Sequence, residues 1–137
     1  MSKLRGSTKV GALVLGPGFE IRSTGWNGAP RGSQADVDDR GLTRDDRLKW
    51  AVHAEANAIA QAARVGTPLD GCTMVVTHPP CTMCARFIIQ AGILRVVTEA
   101  PSENFLQKWS EDLARTERMF KECGVELITI DTTGVNA

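Results

Sequence analysis

Short β-branched runs alternate with helix-patterned segments along this 137-residue chain, and that alternation predicts an α/β fold, a layered sheet with helices on its faces. Two sets of segments carry the prediction. Val10 to Leu15, Thr73 to Thr77, Leu94 to Thr98 and Val125 to Ile130 are apolar or β-branched runs of strand length. Trp50 to Arg64, Thr82 to Gln90 and Lys108 to Cys123 have helical spacing, and Gly66 and Gly124 stand where the first and last of them stop. The length suits one compact domain, residues 1–137, large enough to bury its own core.

In chain order, Val10 to Leu15 ends in Gly16-Pro17-Gly18, and Phe19 to Thr24 resumes as a mixed run up to Gly25. This reads as strand, turn and strand. From Asn27 to Arg47 the composition shifts to Gly, Pro, Ser and Asp with alternating charge, a polar loop whose length points to function. Trp50 to Arg64 follows as a helix, with Ala58, Ile59, Ala62 and Ala63 at helical spacing before Gly66 and Pro68. The strand Thr73 to Thr77, the helix Thr82 to Gln90, the strand Leu94 to Thr98, the helix Lys108 to Cys123 and the strand Val125 to Ile130 complete the alternation.

Sixteen basic and sixteen acidic side chains cancel, whereas a domain that tracks a nucleic-acid backbone carries a positive excess. A small-molecule partner is favoured over a polymer. No apolar run has the length of a bilayer span, and Met1 to Lys9 lacks the apolar stretch of a secretory signal, so the expected address is cytoplasmic, away from membranes. Four cysteines in that setting are thiols available for metal or chemistry rather than a disulfide framework.

Their spacing is informative. In Pro80-Cys81-Thr82-Met83-Cys84 the two thiols are three apart, so at the start of a helix both sulfurs lie on one side and can share a tetrahedral metal. A helix N-terminus favours the thiolate, the metal-binding form. His53 adds an imidazole; two sulfurs and one nitrogen leave a fourth position for water, the pattern of catalytic zinc. His53 and Glu55 are two apart and would point about 200° apart within a helix. They converge only if a helix begins near His53, and there Glu55 can move protons beside the water. His53-Ala54-Glu55 followed by Pro80-Cys81 and Cys84 satisfies the zinc-deaminase signature H-x-E…P-C-x-x-C. Cys72 and Cys123 have no partner at ligand spacing and read as core fillers, and His78 reads as a turn residue before Pro79-Pro80.

These residues resemble the deoxycytidylate (dCMP) deaminase branch of the cytidine deaminase superfamily, from about Ser7 to Ile130. The likeness includes Lys9-Val10-Gly11-Ala12, Gly25-Trp26-Asn27-Gly28, His53-Ala54-Glu55-Ala56-Asn57-Ala58-Ile59, Pro80 to Ala85 and Ile88 to Ile93. The resemblance implies a three-layer cytidine deaminase-like fold, with a five-stranded mixed sheet flanked by helices. It also implies a homo-oligomer, one Zn2+ per subunit, dCMP hydrolysis to dUMP, and dCTP or dTTP as an effector. Carried over by position, His53, Cys81 and Cys84 are zinc ligands and Glu55 is the proton shuttle. Asn27, whose amide can donate and accept, would hold the sugar, and Ala54 would touch substrate.

Three departures qualify the likeness. Few residues precede Val10, where the family has a helix, so a partner subunit is expected to cover part of a sheet face. The chain has no tyrosine to stack on the base; Phe105 or Trp109 would replace it, Trp109 being as well suited to core packing. Trp26 stands in place of the family's tyrosine, and a displaced clamp admits a 5-substituted dCMP as an alternative substrate. Arg5, Lys9 and Arg31 are positive charges within reach of a phosphate, although each also suits a solvated surface. The rival readings are a tRNA adenosine deaminase, disfavoured by the long Ala29 to Trp50 insertion and balanced charge, and a non-catalytic zinc module, which would need a fourth protein ligand.

Overall fold

The computed structural model describes residues 8–134. β1 (Gly11–Leu15) and β2 (Ile21–Trp26) form an antiparallel hairpin, followed by the short helices α1 (Gln34–Val37) and α2 (Arg44–Trp50) and the longer α3 (Ala54–Val65). β3 (Thr73–Val76), α4 (Thr82–Gln90), β4 (Arg95–Glu99), α5 (Glu103–Cys123) and β5 (Glu126–Ile130) complete the chain. The five strands form one mixed sheet in the order β2-β1-β3-β4-β5, antiparallel across β1 and parallel from β3 to β5. The five-stranded mixed sheet with helices is therefore the fold expected from the sequence.

Side chains alternate across a strand, so register decides which ones meet. Ala12 pairs with Val76 and Val14 with Met74, and Met74 in turn pairs with Val96, placing these apolar residues on one face. All five are buried, in a single core with Ala54, Ala58 and Ala62 of α3, Ala85 and Ile88 of α4 and Phe120 of α5. The alanines of α3 let that helix lie close to the sheet. The opposite face holds Leu13, Val75, Val97 and Ile128, all half-buried.

The closest approach is between β2 and α3. A Cβ on Gly25 would overlap the Ala54 carbonyl oxygen and lie 2.5 Å from the Ala58 nitrogen, so only glycine fits. Two bonds hold α3 there. The Ser23 hydroxyl donates to the Ala58 carbonyl (2.6 Å), and the Asn57 amide donates to the Trp26 carbonyl (2.7 Å).

The segment read as a loop, Asn27 to Arg47, contains α1 and the start of α2. It has a small core of its own, Ala29 and Ala35 with Leu42 and Ala51 against them. Thr43 caps α2 by accepting from the Asp46 amide (3.0 Å). The helix expected from Trp50 to Arg64 is interrupted. α2 ends at Trp50, Val52 forms a β-bridge with Gly28, and α3 begins only at Ala54. The last expected helix starts earlier than Lys108, at Glu103, where Ser102 accepts from the Phe105 amide (3.2 Å). Among the described residues no helix is long and apolar enough to cross a membrane.

Candidate active site

The Gly28–Val52 bridge fixes the residue before His53. The Gly28 amide donates to Val52 (3.1 Å) and the Val52 amide to Gly28 (2.8 Å), which makes His53 the N-cap of α3. Cys81 is likewise the N-cap of α4, after the buried Pro79 and Pro80. Neither side chain makes a capping hydrogen bond, whereas Thr43 and Ser102 cap their own helices. The imidazole and the sulfur are directed elsewhere, toward each other.

His53 Nδ1 lies 3.5 Å from Cys81 Sγ and 3.4 Å from Cys84 Sγ. All three donor atoms fall within 4.8 Å of one another, and among the described residues His53, Cys81 and Cys84 form the one His/Cys/Asp/Glu group of this kind. His78 is not part of it. With zinc–sulfur and zinc–nitrogen bonds of about 2.3 and 2.0 Å, the N···S edge of a tetrahedron is about 3.5 Å. The donor set and its spacing therefore fit zinc.

The electrostatics follow from this crowding. Cys81 is lowered to about 4, first by the hydrogen bond from the Cys84 thiol and then by His53, which outweigh its burial. Cys84 is pushed up, by its bond to Cys81 and by burial. The Cys81 hydrogen bond raises His53 against the opposing effect of burial. Two residues along α3, Glu55 is buried (4 % exposed), and burial raises its carboxyl to about 7 although the positive charge of His53 pulls it down. A carboxyl balanced near neutrality can both take and give a proton.

A cavity of about 530 Å³ lies where β1 begins and β3 and β4 end; its lining includes His78, three residues before Cys81, but none of His53, Glu55, Cys81 or Cys84. Ligands of α/β sheets commonly bind at such carboxyl ends. Lys9, Thr77, His78, Glu99 and Ser102 are among its lining residues. The half-buried Phe105 ring stacks on His78, their centroids 5.0 Å apart and their planes tilted by 35°. His78, read as a turn residue, is thus one wall of the cavity.

The other expected site residues are placed differently. The Asn27 Oδ1 accepts from the Val10 amide (3.0 Å) and its Nδ2 donates to the Thr8 carbonyl (2.7 Å), bracing the start of β1. Ala54, expected to touch substrate, is fully buried and presents no exposed atom. Trp109 is 53 % exposed rather than packed in the core, and Cys123 is exposed at the end of α5; Cys72 does lie in the core. Of the candidate phosphate charges, Lys9 lines the cavity, Arg31 donates to Gln61 (3.2 Å), and Arg5 lies outside the described residues.

Comparisons with known proteins agree with this geometry. Residues 2–100 match the family model for the cytidine and deoxycytidylate deaminase zinc-binding region. The chain is 41 % identical over 123 residues to an uncharacterized deaminase in the luxG 3′ region of Aliivibrio fischeri, covering 88 % of this chain and 78 % of that one. It is 37 % identical over 95 residues to human deoxycytidylate deaminase, covering 66 % of this chain and only about half, 52 %, of the human one. Among solved structures, the cyanophage S-TIM5 dCMP deaminase in complex with dCMP and dUMP superposes with a TM-score of 0.69 at 27 % identity, over 90 % of this chain and 82 % of that one. A signature-bearing pair of helix starts, a donor set suited to zinc and a family match over most of its length lead to one conclusion: the chain belongs to the cytidine and deoxycytidylate deaminase zinc-binding family.

Proposed function

We propose that the protein is a zinc-dependent hydrolase that converts dCMP and water to dUMP and ammonia, with His53, Cys81 and Cys84 as the zinc ligands and Glu55 as proton carrier. The observation that carries this reading is a buried carboxyl two residues from one of three converging metal donors. Zinc, when bound, supplies a hydroxide nucleophile at neutral pH. Glu55 accepts the water's proton and passes one to the ring nitrogen beside carbon 4, which makes that carbon electrophilic. As the bond from carbon 4 to the exocyclic nitrogen breaks, Glu55 carries the second proton of that water to the departing amine, which leaves as ammonia. Burial keeps bulk water from short-circuiting these transfers, and the shared helix origin fixes Glu55 relative to His53.

The nucleotide would extend from the metal centre toward the 530 Å³ cavity, with His78 and the Phe105 ring packed against it as an aromatic pair for stacking and Lys9 as a charge for the phosphate. Asn27 would hold the sugar and Ala54 would touch substrate. In this reading the chain works as one deaminase domain, 1–137, in the cytoplasm, as a homo-oligomer subject to dCTP or dTTP.

The test is ammonia release by zinc-loaded protein from cytidine, CMP, dCMP, dCTP, 5-methyl-dCMP and a tRNA anticodon stem-loop. Fastest release from dCMP is expected. Preference for 5-methyl-dCMP would move the reading to a 5-substituted nucleotide, and release from the RNA alone would overturn it.

A further inference from the structure

We propose that Asp112, on α5, is a positioning residue for the metal centre: it caps the helix whose first turn carries Cys81 and Cys84, a task that the N-cap residue itself has given up. The reasoning starts from the backbone. The first amides of any helix have no partner within the helix, and a Ser, Thr, Asp or Asn at the N-cap normally accepts from one of them. In α4 the N-cap is Cys81, whose side chain makes no such bond.

Asp112 satisfies the first of these amides from outside. Its Oδ2 accepts from the Thr82 amide (3.0 Å), the residue directly after Cys81, and its Oδ1 accepts from the Thr82 hydroxyl (2.8 Å). One carboxylate thus grips the same residue twice, through backbone and side chain. The Thr82 hydroxyl also lies 3.5 Å from the hydroxyl of Thr116, which is fully buried one turn along α5. Asp112 is itself held, with Arg115 Nη1 3.5 Å from Oδ1, and only about a quarter of its side chain is exposed. The carboxylate therefore reaches α4 from a 21-residue helix that is part of the core through Phe120. Rotation of the first turn of α4 would move both sulfurs relative to His53, and these two hydrogen bonds from a separate element oppose that rotation.

The proposal rests on the zinc assignment of His53, Cys81 and Cys84 and not on which nucleotide is deaminated. It is tested by zinc affinity, measured by competition with a chromogenic chelator, alongside thermal unfolding of the metal-free proteins. Asp112→Ala should weaken zinc binding about tenfold or more, as loss of a group that orients a ligand typically does. Asp112→Asn keeps an oxygen for the Thr82 amide and should recover most of the affinity. Thr82→Ala, which removes the hydroxyl but leaves the Thr82 amide bonded to Asp112, should weaken zinc binding less than Asp112→Ala does, and a larger loss than in Asp112→Ala would count against the proposal. If Asp112→Ala does not fold, Asp112→Ser takes its place, since its short side chain does not span to Thr82. Wild-type zinc affinity in the folded Ala or Ser variant would overturn the proposal, even with lowered metal-free stability, because a merely structural residue behaves in that way. Equal weakening in the Asn and Ala variants would overturn it too. A wild-type protein that binds no zinc would refute the ligand assignment instead, so the two failures are distinguishable.

Discussion

Gly25→Ala tests whether the site depends on the close seating of α3 on β2. The added methyl would overlap the Ala54 carbonyl and lie 2.5 Å from the Ala58 nitrogen, about 0.9 Å short of the 3.4 Å at which ordinary contact begins. Both obstacles are backbone atoms, so no rotamer change relieves the clash, and the helix or the strand must move. Overpacking of this kind costs about 1–3 kcal/mol, and the absence of side-chain relief puts this case near 3 kcal/mol. For a domain of this size that lowers the unfolding midpoint by about 10 °C. The displaced segment begins at His53, so a shift approaching 1 Å also spoils the N···S spacings of 3.4 and 3.5 Å, and zinc affinity should fall with stability. Thermal unfolding and chelator competition on the purified variant measure both. An alanine variant that melts within 2 °C of wild type and holds zinc equally well would show that the α3–β2 contact is looser than the structure has it.

Glu55→Gln should retain zinc while turnover of dCMP falls by at least about 10²–10⁴, the range of general acid–base catalysis; a variant with wild-type kcat would remove Glu55 from the mechanism. In the metal-free protein the raised Glu55 carboxyl makes the folded state hold a proton that the unfolded chain releases above about 4.5. Its contribution is therefore complete below that pH and is lost as pH rises through about 7. Urea unfolding of metal-free wild type and Glu55→Gln should show the variant gaining about 3 kcal/mol on wild type between pH 4.5 and 7.5, and a constant gap would contradict the raised value. Phe19 has a left-handed backbone (φ 61°) with a side chain 75 % exposed, so Phe19→Gly should stabilise the protein by about 1 kcal/mol in the same assay, and a loss of that size would mean the ring is held by contacts. Removing zinc from the wild type should lower its melting temperature, and adding it back in excess should raise it with concentration, as a ligand bound only by the folded state requires; a midpoint indifferent to metal would remove zinc from the folded state.

The centre was legible in the sequence because its geometry is local. His53 and Glu55 cannot cooperate inside a helix, which forces a helix start between them and the preceding segment, and Cys81 and Cys84 need the same at Pro80; both helices begin at those residues. What the chain did not disclose depends on contacts between distant residues. Polar composition hid α1 and α2; α1 carries Ala35 into a small apolar cluster with Ala29, Leu42 and Ala51, which are distant in the chain. The Val52 bridge to Gly28, which separates α2 from α3, has no local signal in an alanine-rich run. Trp109 and Cys123 looked like core residues by type, yet they fall on the solvent side of a helix that buries only Thr116 and Phe120. Asp112 is one acid among many charges on α5, and nothing within the helix marks it as the partner of Thr82.

The placement of the three donors bears on how the molecule assembles. His53 leads a helix seated on the β1–β2 hairpin, while Cys81 and Cys84 follow β3, which must pair with the free edge of β1 before the sulfurs reach the imidazole. An ion held there stitches a local hairpin-and-helix unit to the parallel half of the sheet that adds to its edge. Metal uptake during refolding should then trail the appearance of secondary structure and mark the moment when the two halves close.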